Sequence, residues 1–231
     1  MSYGVLSSKS VVETITRLRS RIGERFPNSG LFGLSEKILN VAKESQTRAE
    51  WISKPHIGLR CLIAIFILFV LGITTLGLMG LHLDVRTSSL SDFVQMLEAA
   101  TNDVILLGGG LYLLFTVEKR IKRKKTMRIL HSLRSLAHIV DMHQLTKDPS
   151  KMFDKASKTI SSPDVITDPF LLNRYLDYCS ELLSLISKIS ALYAQHFDDQ
   201  VVLNAVDEIE DLTNGLSQKI WQKILVIQKV G

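Results

Sequence analysis

Cysteine, proline and every familiar catalytic signature are scarce in this chain. Its 231 residues hold 2 cysteines and 5 prolines. Cys61 and Cys179 stand far apart, which excludes a disulfide framework and any CxxC redox or metal pair. No Walker A loop, GxSxG elbow or strand-plus-GxGxxG unit occurs. The only glycine cluster, Gly108 to Gly110, lies in apolar sequence, where a phosphate could not sit. Strand-like alternation is scarce as well, so an all-α fold is expected, without a cofactor and without an enzymatic role. A secretory signal is missing, since the first apolar run opens only at Cys61.

What is present is a stretch, residues 57–125, around which the rest is arranged. An apolar run from Cys61 to Leu83 contains His82 as its only titratable group apart from the Cys61 thiol itself, and a second run covers Val104 to Val117. At ~1.5 Å of rise per residue the first covers the ~30 Å hydrocarbon core of a bilayer as a helix. The second needs the extension back to Ala99 to do so. Immediately after it come Lys119, Arg120, Lys122, Arg123, Lys124 and Lys125.

Charge favours a hairpin over a single crossing. Residues 1–56 carry 9 basic and 5 acidic groups, residues 84–103 carry Arg86 against Asp84, Asp92, Glu98 and Asp103, and residues 118–128 carry 7 basic groups against Glu118. Two spans, about 61–83 and 99–117, put both basic flanks on the cytoplasmic side, as the positive-inside bias requires. The expected location is a membrane crossed more than once, a bacterial inner membrane with both termini cytoplasmic, with an organellar membrane as the runner-up. Arginines and serines in Met1–Phe26 have something of a transit peptide, which Glu13 and Glu24 oppose. The basic cluster is read as facing anionic inner-leaflet lipid, at ~1 kcal/mol per residue near the surface. Nucleic acid is not expected, because no aromatic residues interleave the cluster for stacking.

Three parts follow: residues 1–56 with N-terminal amphipathic helices, the hairpin 57–125, and a cytoplasmic helical domain 126–231. In the first part Val11, Val12, Ile15, Leu18 and Ile22 recur at helical spacing, which suits either a membrane surface or the flank of a helical domain. In the spans Gly72, Gly77, Gly80, Gly108, Gly109 and Gly110 offer packing surface that lets helices approach closely, although GxxxG spacing is absent. No breaker follows Val117 until Pro149, so the second span extends as one helix to about His143.

Asp148-Pro149 and Asp168-Pro169 each place a capping carboxylate before a proline, predicting a short helix to Ile160 and a long one to Tyr193. The long one carries a coiled-coil-like seam: Leu172, Tyr175, Cys179, Leu182, Ile186, Ile189 and Tyr193. Asp198-Asp199 opens a last helix that Asn214-Gly215 could split, and Trp221 is read as an anchor in the core or at an interface.

The function this predicts is an integral membrane anchoring or scaffold protein. It self-associates through its spans into a homo-oligomer and presents its cytoplasmic helices to a protein partner. One alternative is a small oligomeric channel or membrane-disrupting effector, with Glu98 and Asp103 at its mouth. The other is a membrane-tethered metalloprotein built on His131, His138 and Asp141, against which the two-turn gap between the histidines and the lack of HExxH spacing both count.

Overall fold

The computed structural model describes residues 6–53, 57–80, 90–149 and 166–230, and every regular element among them is a helix. The order is α1 (Ser8–Arg25), α2 (Gly30–Ser53), α3 (Ile57–Gly80), α4 (Leu90–Leu145), α5 (Pro169–His196) and α6 (Gln200–Val230). Residues 150–160, where the sequence predicts a short helix, lie outside the described residues.

The chain divides into two compact units. The first joins Met1–Ser53 to Lys125–Gly231, and the second is Lys54–Lys124. The helix α4 is continuous through the boundary at Lys124, 56 residues without a break. Its course past Val117 is the one the sequence predicts, since nothing there removes a backbone donor or forces a turn.

The first unit has one apolar core. Helix α5 packs against α6, α2 and α1, and α1 packs on α2. All seven predicted seam residues of α5, Leu172 to Tyr193, are buried in it. Burial extends to Leu176, Tyr178, Leu183, Leu185 and Leu192, so α5 is enclosed on most of its circumference. Its start follows the predicted chemistry: the Asp168 carboxylate accepts from the backbone N–H of Phe170 at 2.8 Å and of Leu171 at 3.4 Å, with Pro169 in the first turn. Asp199 caps α6 in the same way through Val201 and Val202.

Two readings that the sequence leaves open are narrowed here. Helix α6 runs unbroken through Asn214-Gly215, because Thr213 and Leu216 on either side are both buried, and that packing outweighs the ~1 kcal/mol that a helical glycine costs. Trp221 is not in the core; it is 57 % exposed. Of the two readings for α1, packing prevails: Val11, Ile15, Leu18 and Ile22 are buried in the common core with Leu34, Ile38 and Ala42 of α2.

The second unit inverts this pattern. Leu62, Ile65, Leu68 and Phe69 of α3, and Val104, Ile105, Tyr112, Leu113 and Phe115 of α4, are all exposed. Their hydroxyl-bearing neighbours look inward to their own helix: Thr74, Thr75, Thr101 and Thr116 each donate to a carbonyl one turn earlier. One helix among the described residues, within Phe93–Leu145, is long and apolar enough to cross a membrane. The described apolar part of α3, Cys61–Leu76, falls short of that length, and residues 81–83 of the expected first span lie outside the described residues. The pair of spans read from the sequence is thus reduced to one by length and composition alone.

Candidate functional site

The basic cluster at the boundary of the two units is not uniform. Lys119, Arg120, Lys124 and Lys125 are exposed and Arg123 is half-buried. Lys122 departs from the lipid-facing role assigned to it: it is only 9 % exposed and its Nζ lies 3.0 Å from the Glu118 carboxylate one turn back. The Lys122–Glu118 pair is thus turned away from solvent, while Lys119, Arg120, Lys124 and Lys125 are the members of the cluster that stay exposed.

The span glycines separate similarly. At Gly110 a Cβ would lie 3.2 Å from Phe66 Cε1, so the missing side chain is what lets the Phe66 ring of α3 rest on α4. Gly72, Gly108 and Gly109 have no neighbour within 4 Å of that position, and so do not serve packing within the chain. Gly77 and Gly80 are helical residues of α3 whose surroundings lie outside the described residues.

The histidine stripe does not gather into a metal centre. His131 and His138 are both exposed, and the Asp141 carboxylate accepts instead from Gln144 Nε2 at 2.5 Å. Among the described residues no three His, Cys, Asp or Glu side chains are close enough to hold one ion. Zinc or a similar ion needs at least three such ligands on one point, which two exposed imidazoles two turns apart cannot supply.

Cys179 is fully enclosed, and burial pushes its thiol up to about 12 despite the opposing influence of Lys223 and Lys147. A thiol in that state is neutral at any ordinary pH and is not a nucleophile. Around it lies a half-buried polar group that sequence reasoning did not single out. Lys223 Nζ donates to the Gln144 backbone carbonyl at 2.8 Å, burial draws its ammonium below the usual lysine value, and His143 Nδ1 stands 3.5 Å from the Tyr175 hydroxyl. Gln144 Oε1 is buried there without a hydrogen-bond partner.

Two of the surface depressions of the first unit lie beside α5. A groove of about 580 Å³ runs over α5 between α1 and α6. Val11, Leu185, Ile220, Trp221 and Ile224 give it apolar walls, while Ser180, Glu181, Ser184 and Lys188 present the solvent stripe of α5. A cleft of about 520 Å³ is bounded by Arg21, Arg25, Arg174, Phe170 and Tyr178. Arg25 and Arg174 both stack on Phe170, at 5.4 and 5.5 Å, and Arg21 stacks on Tyr178 while holding both oxygens of Glu181 at 2.9 and 3.1 Å. With Glu24, Asp177 and Glu181 beside them, the three guanidinium charges are balanced within the cleft. No protein family, curated protein or solved structure matches this chain.

Proposed function

We propose that the chain is an integral membrane scaffold, held by a two-span hairpin formed by α3 and the apolar half of α4, and presenting its helical unit to protein partners on one side of the bilayer. The observation that carries this reading is the composition of the core. Residues that precede the apolar segment (Ile15, Leu18, Ile38) and residues that follow it (Leu133, Leu182, Ile209) are buried in one cluster. Arg21 and Glu181, on opposite sides of the segment in sequence, form a bidentate pair.

A core of that kind closes only when both parts are in the same compartment. The chain between Ser53 and Lys125 then crosses a membrane an even number of times, and if α4 crosses once, α3 crosses too. Helix α3 has 24 residues, ~36 Å of helix, enough for the hydrocarbon core even though its described apolar stretch is shorter. The outward apolar side chains of the second unit support lipid as their solvent, since contiguous exposed surface of that kind is not tolerated in water. The exposed cations Lys119, Arg120, Lys124 and Lys125 suit the cytoplasmic boundary, with anionic headgroups as their counter-charge. Self-association through the open glycines Gly72, Gly108 and Gly109 and a partner for the helical unit complete the reading.

The test is topological first. In a Cys61→Ser background, single cysteines at Ser7 and Gln200 are expected to react with an impermeant thiol reagent from one face, and one at Arg86 from the other; all three on one face would overturn the hairpin. The mass of the complex drawn from its native membrane then reports on the scaffold role. A species heavier than one 25.9 kDa chain is expected, and a partner-free monomer would dismiss that role while leaving the hairpin intact.

A further inference from the structure

The carboxyl end of α4 is fastened at two successive residues. Gly30 is the first residue of α2, and a Cβ there would lie 2.4 Å from His143 Cε1 and 3.2 Å from Nε2, so the imidazole fills room that only a glycine leaves. On its other edge, Nδ1 is 3.5 Å from the Tyr175 hydroxyl of α5. The next carbonyl, that of Gln144, accepts from the backbone N–H of Lys147 at 3.1 Å and also from Lys223 Nζ of α6 at 2.8 Å. Helices α2, α5 and α6 thus all meet the last turn of α4.

We propose that His143, seated in the notch at Gly30, is a pH-operated latch that holds the end of α4 in the helical unit when neutral and loosens it when protonated. The charged groups around it decide the direction. Burial and the Lys147 ammonium hold the imidazole below the ordinary histidine value. The positive end of α2 begins at Gly30 itself and acts in the same sense, as does Lys223. Opposed to them are the carboxylates of Asp141 and Asp148, which lie near Lys223, and the terminal carbonyls of α4. Tyr175 and Cys179 are both held neutral by burial and add no negative charge.

An opened state, with His143 in water, takes up its proton near the ordinary value of 6.5, whereas the latched state takes it up only at lower pH. Opening therefore gains on latching as pH falls below 6.5, and the gain is complete once the latched imidazole is itself protonated. The latched turn follows Leu133, Leu136 and Val140 on the same helix, all buried in the core, so acidification acts on how firmly the last turn of α4 is held within the helical unit.

Hydrogen exchange of the amides Val140–Leu145 tests this in the full chain held in detergent or lipid, after correction for the intrinsic pH dependence of exchange. Protection is expected to fall several-fold between about pH 7.5 and about pH 5.5 in the parent protein, and to be flat over that range in His143→Gln. Gly30→Ala, which pushes the ring out of the notch, is expected to show reduced protection already at the higher pH. A magnetic-resonance titration of His143 is expected to give a midpoint below 6.5. A flat profile in the parent, an equal fall in His143→Gln, or a midpoint at or above 6.5 would each overturn the latch; the second would transfer the effect to Asp141 or Asp148.

Discussion

At the scale of single residues, the buried thiol of Cys179 gives the sharpest expectation. Its position on the seam of α5 was legible from spacing alone, since apolar residues three and four apart surround it. Its ionisation was not, because that depends on what α6 and the end of α4 place around it. With the thiol pushed up to about 12 in the fold and near 9 in an unfolded chain, the unfolded state loses its proton first as pH rises. This contribution to stability is whole below pH 9 and is lost progressively toward 12, with a slope approaching ~1.4 kcal/mol per pH unit. Tyr175 slopes the same way and Lys223 the opposite way, so the readout is the difference between parent and Cys179→Ala in denaturant titrations above pH 9. Equal slopes would mean that the thiol is not enclosed. In the same spirit, a thiol reagent at about pH 8 should modify exposed Cys61 in detergent and leave Cys179 untouched until the fold opens.

At the scale of elements, starts were more legible than stops. An aspartate before a proline or before an apolar period has local hydrogen-bond chemistry that no tertiary contact is needed to specify, and Asp168 caps α5 as its sequence predicts. Asp168→Ala is expected to cost about 1 kcal/mol in thermal or denaturant unfolding. Gly215 does not break α6, because its helix penalty is small beside the burial of Leu216 and Ile220 on the same helix. Space around Gly215 is open, so Gly215→Ala should stabilise the protein, by up to ~1 kcal/mol. Loss of stability in that variant would mean that α6 bends there. The basic cluster shows the same limit: six cations in seven residues read as one face, yet a helix turns 100° per residue, so Lys122 falls on the side of Glu118 while Lys119 and Arg120 do not.

For the molecule as a whole, the decisive feature is that residues before and after the apolar segment share a core. If that core is self-sufficient, replacing residues 54–124 with a flexible glycine-serine linker should give a water-soluble, helical protein with a cooperative unfolding transition. An aggregated or non-cooperative product would show that the segment is needed to close the core, and would remove the argument for an even number of crossings. The exposed Trp221 and the groove beside it should then still be present, which tryptophan fluorescence at a long, water-exposed wavelength in a Trp51→Phe background would report.

The amino-acid sequence by itself determined the helices, their caps, the seam of α5 and the division between an apolar segment and charged flanks. Each of these is set by spacing along one chain, through helical periodicity and hydrogen bonds a few residues long. Only the tertiary structure decided that α1 and α2 join α5 and α6, that Lys122 turns inward to Glu118, that Trp221 stays outside, and that Gly30 makes room for His143. Those outcomes depend on which faces meet across long separations in sequence, and no local period or propensity carries that information.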